Sequence, residues 1–372
     1  MESVLKWYYF GYVASNESAL NYTNGLFGPG SGGMHDQRAD ARLEFALQHL
    51  PARQLQIEVA SADASFRSYW RVRDDARTFI VMDAPLDKES IAPWLDISLR
   101  LRHAGLHVPE IFAVDAAQGF ILMEDLGARA YLPELNARTV EALYGDALDA
   151  LLTMQTRVSP RDLPTFDEAF LMLELELMPT WFLERHLDYT PTCDEWDAIE
   201  SAFRTLIDNA RAQPQVFMHR DLHSRNLMIA ERNNPGIIDF QGAVLGPIAY
   251  DLASLLRDCY IAWPIEQVDV WVERYRQRLV DAGAVDVDGA HFRRWFDLIG
   301  LQRHIKVLGL FCRLNYRDSK AGYLADLPLV LDYVLTVARL YPELSAFTAL
   351  IERAVGTRDV TLARTETGAA VA

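Results

Sequence analysis

Cysteine is scarce in this chain. Only Cys193, Cys259 and Cys312 occur among 372 residues, far apart and without a C-x-x-C pair. That spacing argues against a disulfide framework or a cysteine-based zinc site and fits reduced thiols in a cytoplasmic protein. Long apolar runs are missing too. No stretch approaches the roughly 18 apolar residues that cross a bilayer, so no membrane span is expected. Basic residues are outnumbered, with 36 Lys and Arg against 52 Asp and Glu and a formal net charge of −16. Surfaces that follow nucleic-acid phosphates are basic, so this balance argues against a nucleic-acid partner. Neither an internal repeat nor a low-complexity block is found.

What is present is a chain that is 50% hydrophobic and long enough to bury the cores of two lobes. Residues 1–33 stand apart. Trp7-Tyr-Tyr-Phe-Gly-Tyr-Val13 is aromatic with little basic lead-in, unlike a signal peptide. Gly30-Ser-Gly-Gly33 directly precedes Met34. The segment reads as an added leader or tag, with the native start at Met34. Residues 356–372 are polar and aperiodic and read as a loose tail.

Between these ends the hydrophobic period changes once. Helical spacing over 37–50 is followed by a hairpin over Gln56–Val72, with Ser61–Ser65 as its turn, and a strand at Thr78–Met82. A helix over Ser90–Ala104 ends at Gly105, and two strands follow at Val108–Val114 and Gly119–Met123. Beyond Gly127 the pattern is mainly helical, near 137–157, 167–187, 194–212, 248–260, 264–282, 290–316 and 326–340. The expected fold class is α+β and protein-kinase-like: a small β-rich N-lobe over 34–126 and a large, mostly helical C-lobe over 127–355.

The chemistry is concentrated where strand-like residues interrupt the helices. His219, Asp221 and Asn226 follow the order H-x-D-x-x-x-x-N, and Asp239-Phe240-Gln241 follows a short apolar strand. Enzymes that move a γ-phosphoryl group use this set. Asp221 is the expected catalytic base, and Asn226 and Asp239 are the oxygen ligands that Mg²⁺ prefers. His219 is assigned to supporting the loop. Reading His219, Asp221 and His223 as a metal cluster leaves Asn226 and Asp239 without a purpose. Asp251 opens a later helix; as a buried carboxylate it would fix the base-bearing loop, a role compatible with capping.

His219–Asn226, Ile238-Asp-Phe-Gln241 and Asp251-Leu-Ala together resemble the aminoglycoside phosphotransferase/choline kinase superfamily. Further blocks at Ala60–Tyr69, Phe79–Pro85, Glu174–Leu177, Asp239–Pro247 and Gln302–Val307 resemble bacterial anomeric kinases of N-acetylmuramate and N-acetylglucosamine. The resemblance runs from about Gln54 to Tyr341. It implies ATP and Mg²⁺ as cofactors and a small amino-sugar acceptor whose C1 hydroxyl gives its proton to Asp221. It also implies a place in cell-wall recycling.

Other positions leave alternatives open. Ser61 and Ser65 stand where kinases carry a Gly-rich phosphate loop, although an ordinary polar turn has the same composition. The third strand offers Met82 where kinases have a lysine; Arg67, Arg71 or Lys88 could supply that charge. Glu124 and Leu126 lie in a hinge whose main chain would bind adenine. Arg303, Lys306 and Arg313 recur at helical spacing with Leu310, either as a solvated stripe or as buried cations suited to an anionic acceptor. Glu174 and Glu176 either contact sugar hydroxyls or form a solvated acidic face. The missing lysine keeps a nucleotide-binding pseudokinase in view. Trp181, Phe182 and Tyr189 keep open an aromatic cage for a choline-like acceptor, and aminoglycoside or homoserine-like acceptors belong to the same class.

Overall fold

The computed structural model describes residues 37–51, 55–62, 67–74 and 77–364. The expected leader over 1–33, Met34 and Ser65 lie outside the described residues, as do residues 365–372. Contacts divide the chain into two compact units. One holds the residues up to Ser98 with Val108–Gly127, and the other holds Leu99–His107 with Ala128 onward.

The first unit is built on an antiparallel sheet. Strands β1 (Gln56–Ala62), β2 (Ser68–Arg73), β3 (Thr78–Asp83), β4 (Ile111–Asp115) and β5 (Phe120–Glu124) take the order β1-β2-β3-β5-β4. Alternation in β3 and β5 turns Phe79, Val81, Phe120 and Leu122 to one face. There they meet Phe45, Ala46 and Leu50 of helix α1 (Gln37–His49) and its exit, together with Val72. β4 begins at Ile111 rather than at Val108, after Pro109, which has no N–H to give to a ladder. β3 ends on the buried Asp83, whose carboxylate takes Arg38 Nε at 2.8 Å and Arg42 Nη1 at 2.5 Å, both from α1. The Arg42 guanidinium also lies 3.7 Å over the Trp70 ring.

Helix α2 (Ala92–His103) falls on the boundary of this grouping. In the second unit come α3 (Tyr131–Glu134), α4 (Val140–Arg157), α5 (Glu168–Leu175) and α6 (Cys193–Ala212), then strands β6 (Gln215–Met218), β7 (Leu227–Met228), β8 (Gly236–Ile237) and β9 (Val244–Pro247). Helices α7 (Tyr250–Leu256), α8 (Ile265–Asp281), α9 (Gly289–Tyr316), α10 (Leu327–Ala338) and α11 (Ser345–Val355) complete it. The unit is organised around α9, buried without interruption from Trp295 to Gly309. A helix stretch enclosed on all sides has no solvent stripe, so the cations within it, Arg303 and Lys306, are buried with it.

Three expectations change here. The single helix over 167–187 breaks after α5, and Met178–His186 is π-helical, entered through Pro179. α9 presses on this break: a Cβ at Gly309 would stand 2.2 Å from the Leu177 carbonyl. Helix α11 was not anticipated. The expected tail from 356 is held at its start, with Val360 buried and its carbonyl accepting from His186 Nε2 at 2.9 Å. Among the described residues, Ala321–Ala338 has the length and apolar composition of a membrane-crossing helix. Its Leu327, Val330, Val334 and Val337 are buried inside the unit.

Candidate active site

The second unit brings the motif residues together by two short strand pairings. β6 pairs with β9, Met218 opposite Val244, and β7 pairs with β8, Leu227 opposite Ile237. The first pairing fixes where the loop His219–Asn226 leaves the sheet. The second returns Asn226 beside Asp239, with Ile238 N donating to Asn226 O at 3.1 Å. Within the loop, His223 N donates to Asp221 O at 3.0 Å and Asn226 N to His223 O at 2.9 Å. Arg220 and Asp239 hold left-handed φ values of 77° and 63°. Non-glycine residues at such angles are kept there by surrounding bonds and gather at functional sites.

Asp251 supplies those bonds for Arg220. It is buried at the start of α7, and its two oxygens accept from His219 N at 2.7 Å and Arg220 N at 2.9 Å. Burial pushes its carboxyl up to about 7 against these two bonds, and Asp221 adds to the rise. His219 is fully buried, and burial brings its imidazole down to about 4. In the neutral ring Nδ1 accepts from Asp221 N at 3.3 Å, so Nε2 donates to Ile238 O at 3.2 Å.

The Asp221 carboxylate accepts no hydrogen bond among the described residues. Burial would raise it, but Lys306, Arg220, His223 and Arg303 outweigh that and bring it down to about 2. It is therefore ionised at neutral pH. Asn226 Nδ2 donates to Asp221 O at 2.9 Å and lies 3.4 Å from Asp239 Oδ2, while Gln241 Nε2 donates to Asp239 Oδ1 at 2.6 Å. The Asn226 amide nitrogen thus faces both the loop carbonyl and Asp239, and a cation held here would use the Asn226 amide oxygen and the Asp239 carboxylate. Two oxygen donors suit Mg²⁺, which completes its shell from phosphates and water.

Glu174, at the end of α5, is buried rather than solvated. Its Oε1 lies 2.7 Å from Arg220 Nη2 and 3.0 Å from Lys306 Nζ, and its Oε2 accepts from Gln302 Nε2 at 3.2 Å. Burial works to raise this carboxyl, and Lys306 and Arg220 hold it below its ordinary value. Glu176, two residues on, is exposed. Arg303 donates through Nη1 to the Cys259 sulfur at 3.0 Å. Arg303 and Lys306 thus reach Asp221 electrostatically, whereas Arg313, also buried, lies about 10 Å further along α9 than Lys306. Buried polar groups that sequence reasoning missed are Tyr250, Ser224 and Asp258. The Tyr250 hydroxyl has no partner among the described residues, and burial raises it well above its ordinary value, with Glu174 adding to the rise.

The expected nucleotide residues lie in the first unit. Ser61 pairs in β1 opposite Tyr69, and Arg67 Nη1 is 3.4 Å from Glu89. Arg71 is committed to the hinge: its Nε and Nη2 donate to Asp125 at 2.6 and 3.0 Å, and Nη2 also reaches Gly127 O. Lys88 is exposed, 3.6 Å from Asp87. Glu124 Oε2 accepts from Glu110 N at 3.2 Å, and Leu126 is half-buried. The residues considered for a choline cage do not form one. Phe182 is fully buried against His186, and the Tyr189 hydroxyl donates to Glu195 at 2.6 Å.

A model of the phosphotransferase enzyme family matches residues 56–287. The chain is 40% identical over 319 residues to an N-acetylmuramate/N-acetylglucosamine kinase of Pseudomonas putida, covering 86% of this chain and 93% of that protein. It is 38% identical over 316 residues to a protein of the same name from Neisseria meningitidis serogroup B, covering 83% and 94%. Among solved structures, ADP-bound aminoglycoside phosphotransferase APH(2'')-Ib matches with a TM-score of 0.53 at 16% identity, over 79% of this chain and 97% of that one. That likeness shows the protein-kinase-like fold.

Proposed function

The chain belongs to the phosphotransferase enzyme family and is a small-molecule kinase, and from that premise we propose that it moves the γ-phosphoryl group of ATP to the anomeric hydroxyl of N-acetylmuramate or N-acetylglucosamine. The observation that carries the phosphoryl-transfer chemistry is the Asp221 carboxylate, which accepts no hydrogen bond among the described residues and shares a loop with Asn226, itself 3.4 Å from Asp239. Asp221 orients the acceptor hydroxyl and takes its proton as the oxygen bonds to phosphorus. Asn226 and Asp239 would hold Mg²⁺, which when bound neutralises charge on the phosphates. We assign the nucleotide to the first unit, through the main chain at Glu124 and Leu126 and through Ser61, Ser65 and Arg67. Arg71, already paired with Asp125, is set aside.

The amino-sugar acceptor draws support from the named relatives and from charge. Three cations, Arg220, Arg303 and Lys306, surround two carboxylates, Glu174 and Asp221. Buried cations such as Arg303 and Lys306 suit an acceptor bearing a carboxylate, such as the lactyl group of N-acetylmuramate, better than a polycation. ATP as donor and free thiols at Cys259 and Cys312 support a cytoplasmic reaction.

The test offers purified protein and Mg-ATP to N-acetylmuramate, N-acetylglucosamine, kanamycin and choline, following products by ³¹P NMR. An anomeric phosphate signal is expected with the two amino sugars. Phosphate appearing on kanamycin or choline alone would reject the proposed acceptor.

A further inference from the structure

The four residues that leave α7, Arg257-Asp258-Cys259-Tyr260, alternate in what they hold. Asp258 and Tyr260 hold the catalytic loop. Asp258 is fully buried, and its Oδ2 accepts from Ser224 N at 2.9 Å and from Ser224 Oγ at 2.5 Å. Its Oδ1 accepts from Tyr260 N at 3.2 Å. The Tyr260 ring meets His223 edge-on, 5.5 Å between centroids, and the Arg225 guanidinium lies 3.5 Å over its face. Arg257 and Cys259 hold α9. Arg257 Nη2 donates to Asp297 at 2.6 Å, the Arg257 carbonyl accepts from His304 Nε2 at 2.9 Å, and Cys259 takes Arg303.

Among the described residues the Asp221 carboxylate makes no hydrogen bond, so it stands where the backbone on either side puts it. Upstream, Asp251 fixes His219 and Arg220. Downstream, the charged anchor is Asp258, through the buried Ser224. We infer that Asp258, acting through Ser224, is a positioning residue for Asp221, and that the segment 257–260 sets the base-bearing loop against Arg303. Hydrogen bonds to an ionised acceptor are among the stronger ones. Displacing a reacting group by about 1 Å costs on the order of 10²-fold in rate.

The inference rests on the phosphotransferase reading, and its test separates the two. Ser224→Ala removes the hydroxyl and keeps the N–H bond. With whichever acceptor the wild-type protein phosphorylates, kcat should fall about 10-fold while the KM for acceptor and the Kd for ATP stay put. Asp258→Asn should lower kcat about 10²-fold. In an Asp221→Ala background, Ser224→Ala should cost nothing further, because the group it positions is gone. Hydrogen exchange gives a readout that needs no turnover: Ser224→Ala should speed exchange over 222–226 and leave 215–218 protected. Wild-type kcat and exchange in Ser224→Ala would overturn the inference, as would an equal loss in the Asp221→Ala background. A wild-type protein that phosphorylates none of the acceptors would reject the activity, and the exchange comparison would still decide the positioning role.

Discussion

Each unit buries a carboxylate between two cations, and the two arrangements do different work. In the sheet unit, Asp83 receives Arg38 and Arg42, which lie one turn apart on the same helix. That network ties α1 to the end of β3. In the helical unit, Glu174 receives Arg220 from the catalytic loop and Lys306 from α9. Its partners come from separate elements, and both also act on Asp221. Pairing within one neighbourhood secures packing. Pairing across elements also fixes the distance between Asp221, the proposed base, and the cations around it. Removing one member of either buried set should cost stability, but only the second should also cost turnover.

The sharpest separation comes from Asp221 itself. Asp221→Asn should lower kcat by at least about 10³-fold while ATP affinity is largely kept, as isothermal titration would show. Near-wild-type kcat would remove Asp221 from the role of base. The paired carboxylates come next. Glu174→Gln should lower kcat/KM for the acceptor by about 10²-fold, because Arg220 and Lys306 lose the group that registers them. It should also destabilise the fold by about 3 kcal/mol. Asp83→Asn should show a similar loss of stability by chemical denaturation, with kcat of the folded protein unchanged. Equal effects of both substitutions on kcat would erase the distinction drawn between them.

How far this division was legible in sequence depends on how local each signal is. His219, Asp221 and Asn226 share one loop and Asp239 follows a short hairpin, so their spacing carried the geometry. Arg303 and Lys306 were visible as neighbours one turn apart on a helix, but not their depth, which comes from helices packed around all sides of α9. Glu174 looked like either half of a Glu-Leu-Glu pair. Its meeting with Arg220, 46 residues away, is purely tertiary. Asp258 was hidden more thoroughly. The expected helix near 248–260 contained it, where an acidic residue passes for part of a solvated face, and its partner Ser224 lies 34 residues earlier. The π-helical turn at Met178–His186 escaped because its apolar spacing continues that of α5. The neighbour it accommodates, α9 at Gly309, lies far away in sequence.

The smallest expected effect concerns pH and sets the two loop carboxylates against each other. Asp251 is raised from an ordinary carboxylate value to about 7, burial being the largest cause. The groups facing it are the His219 and Arg220 N–H groups, the Asp221 carboxylate and Arg303. A folded-state value above the unfolded one means that the folded protein holds the extra proton between about pH 4 and pH 7. Stability from this group is therefore complete below the unfolded value and is lost as pH rises towards 7. Asp221 has the opposite sign. Its value of about 2 lies below the unfolded one, so its contribution is present above about pH 4 and is lost as pH falls towards 2. Of these two carboxylates only Asp251 titrates between pH 5 and 7, and its share of the loss should be about 2 kcal/mol, set against buried histidines such as His219 whose lowered values give a gain over the same range. Asp251→Asn cannot ionise, so from pH 5 to pH 7 it should gain about 2 kcal/mol relative to the wild-type protein, read from the two denaturation midpoints, even if it starts lower. Parallel curves for the two proteins would mean that Asp251 is already ionised at pH 5, with its two backbone N–H bonds outweighing burial.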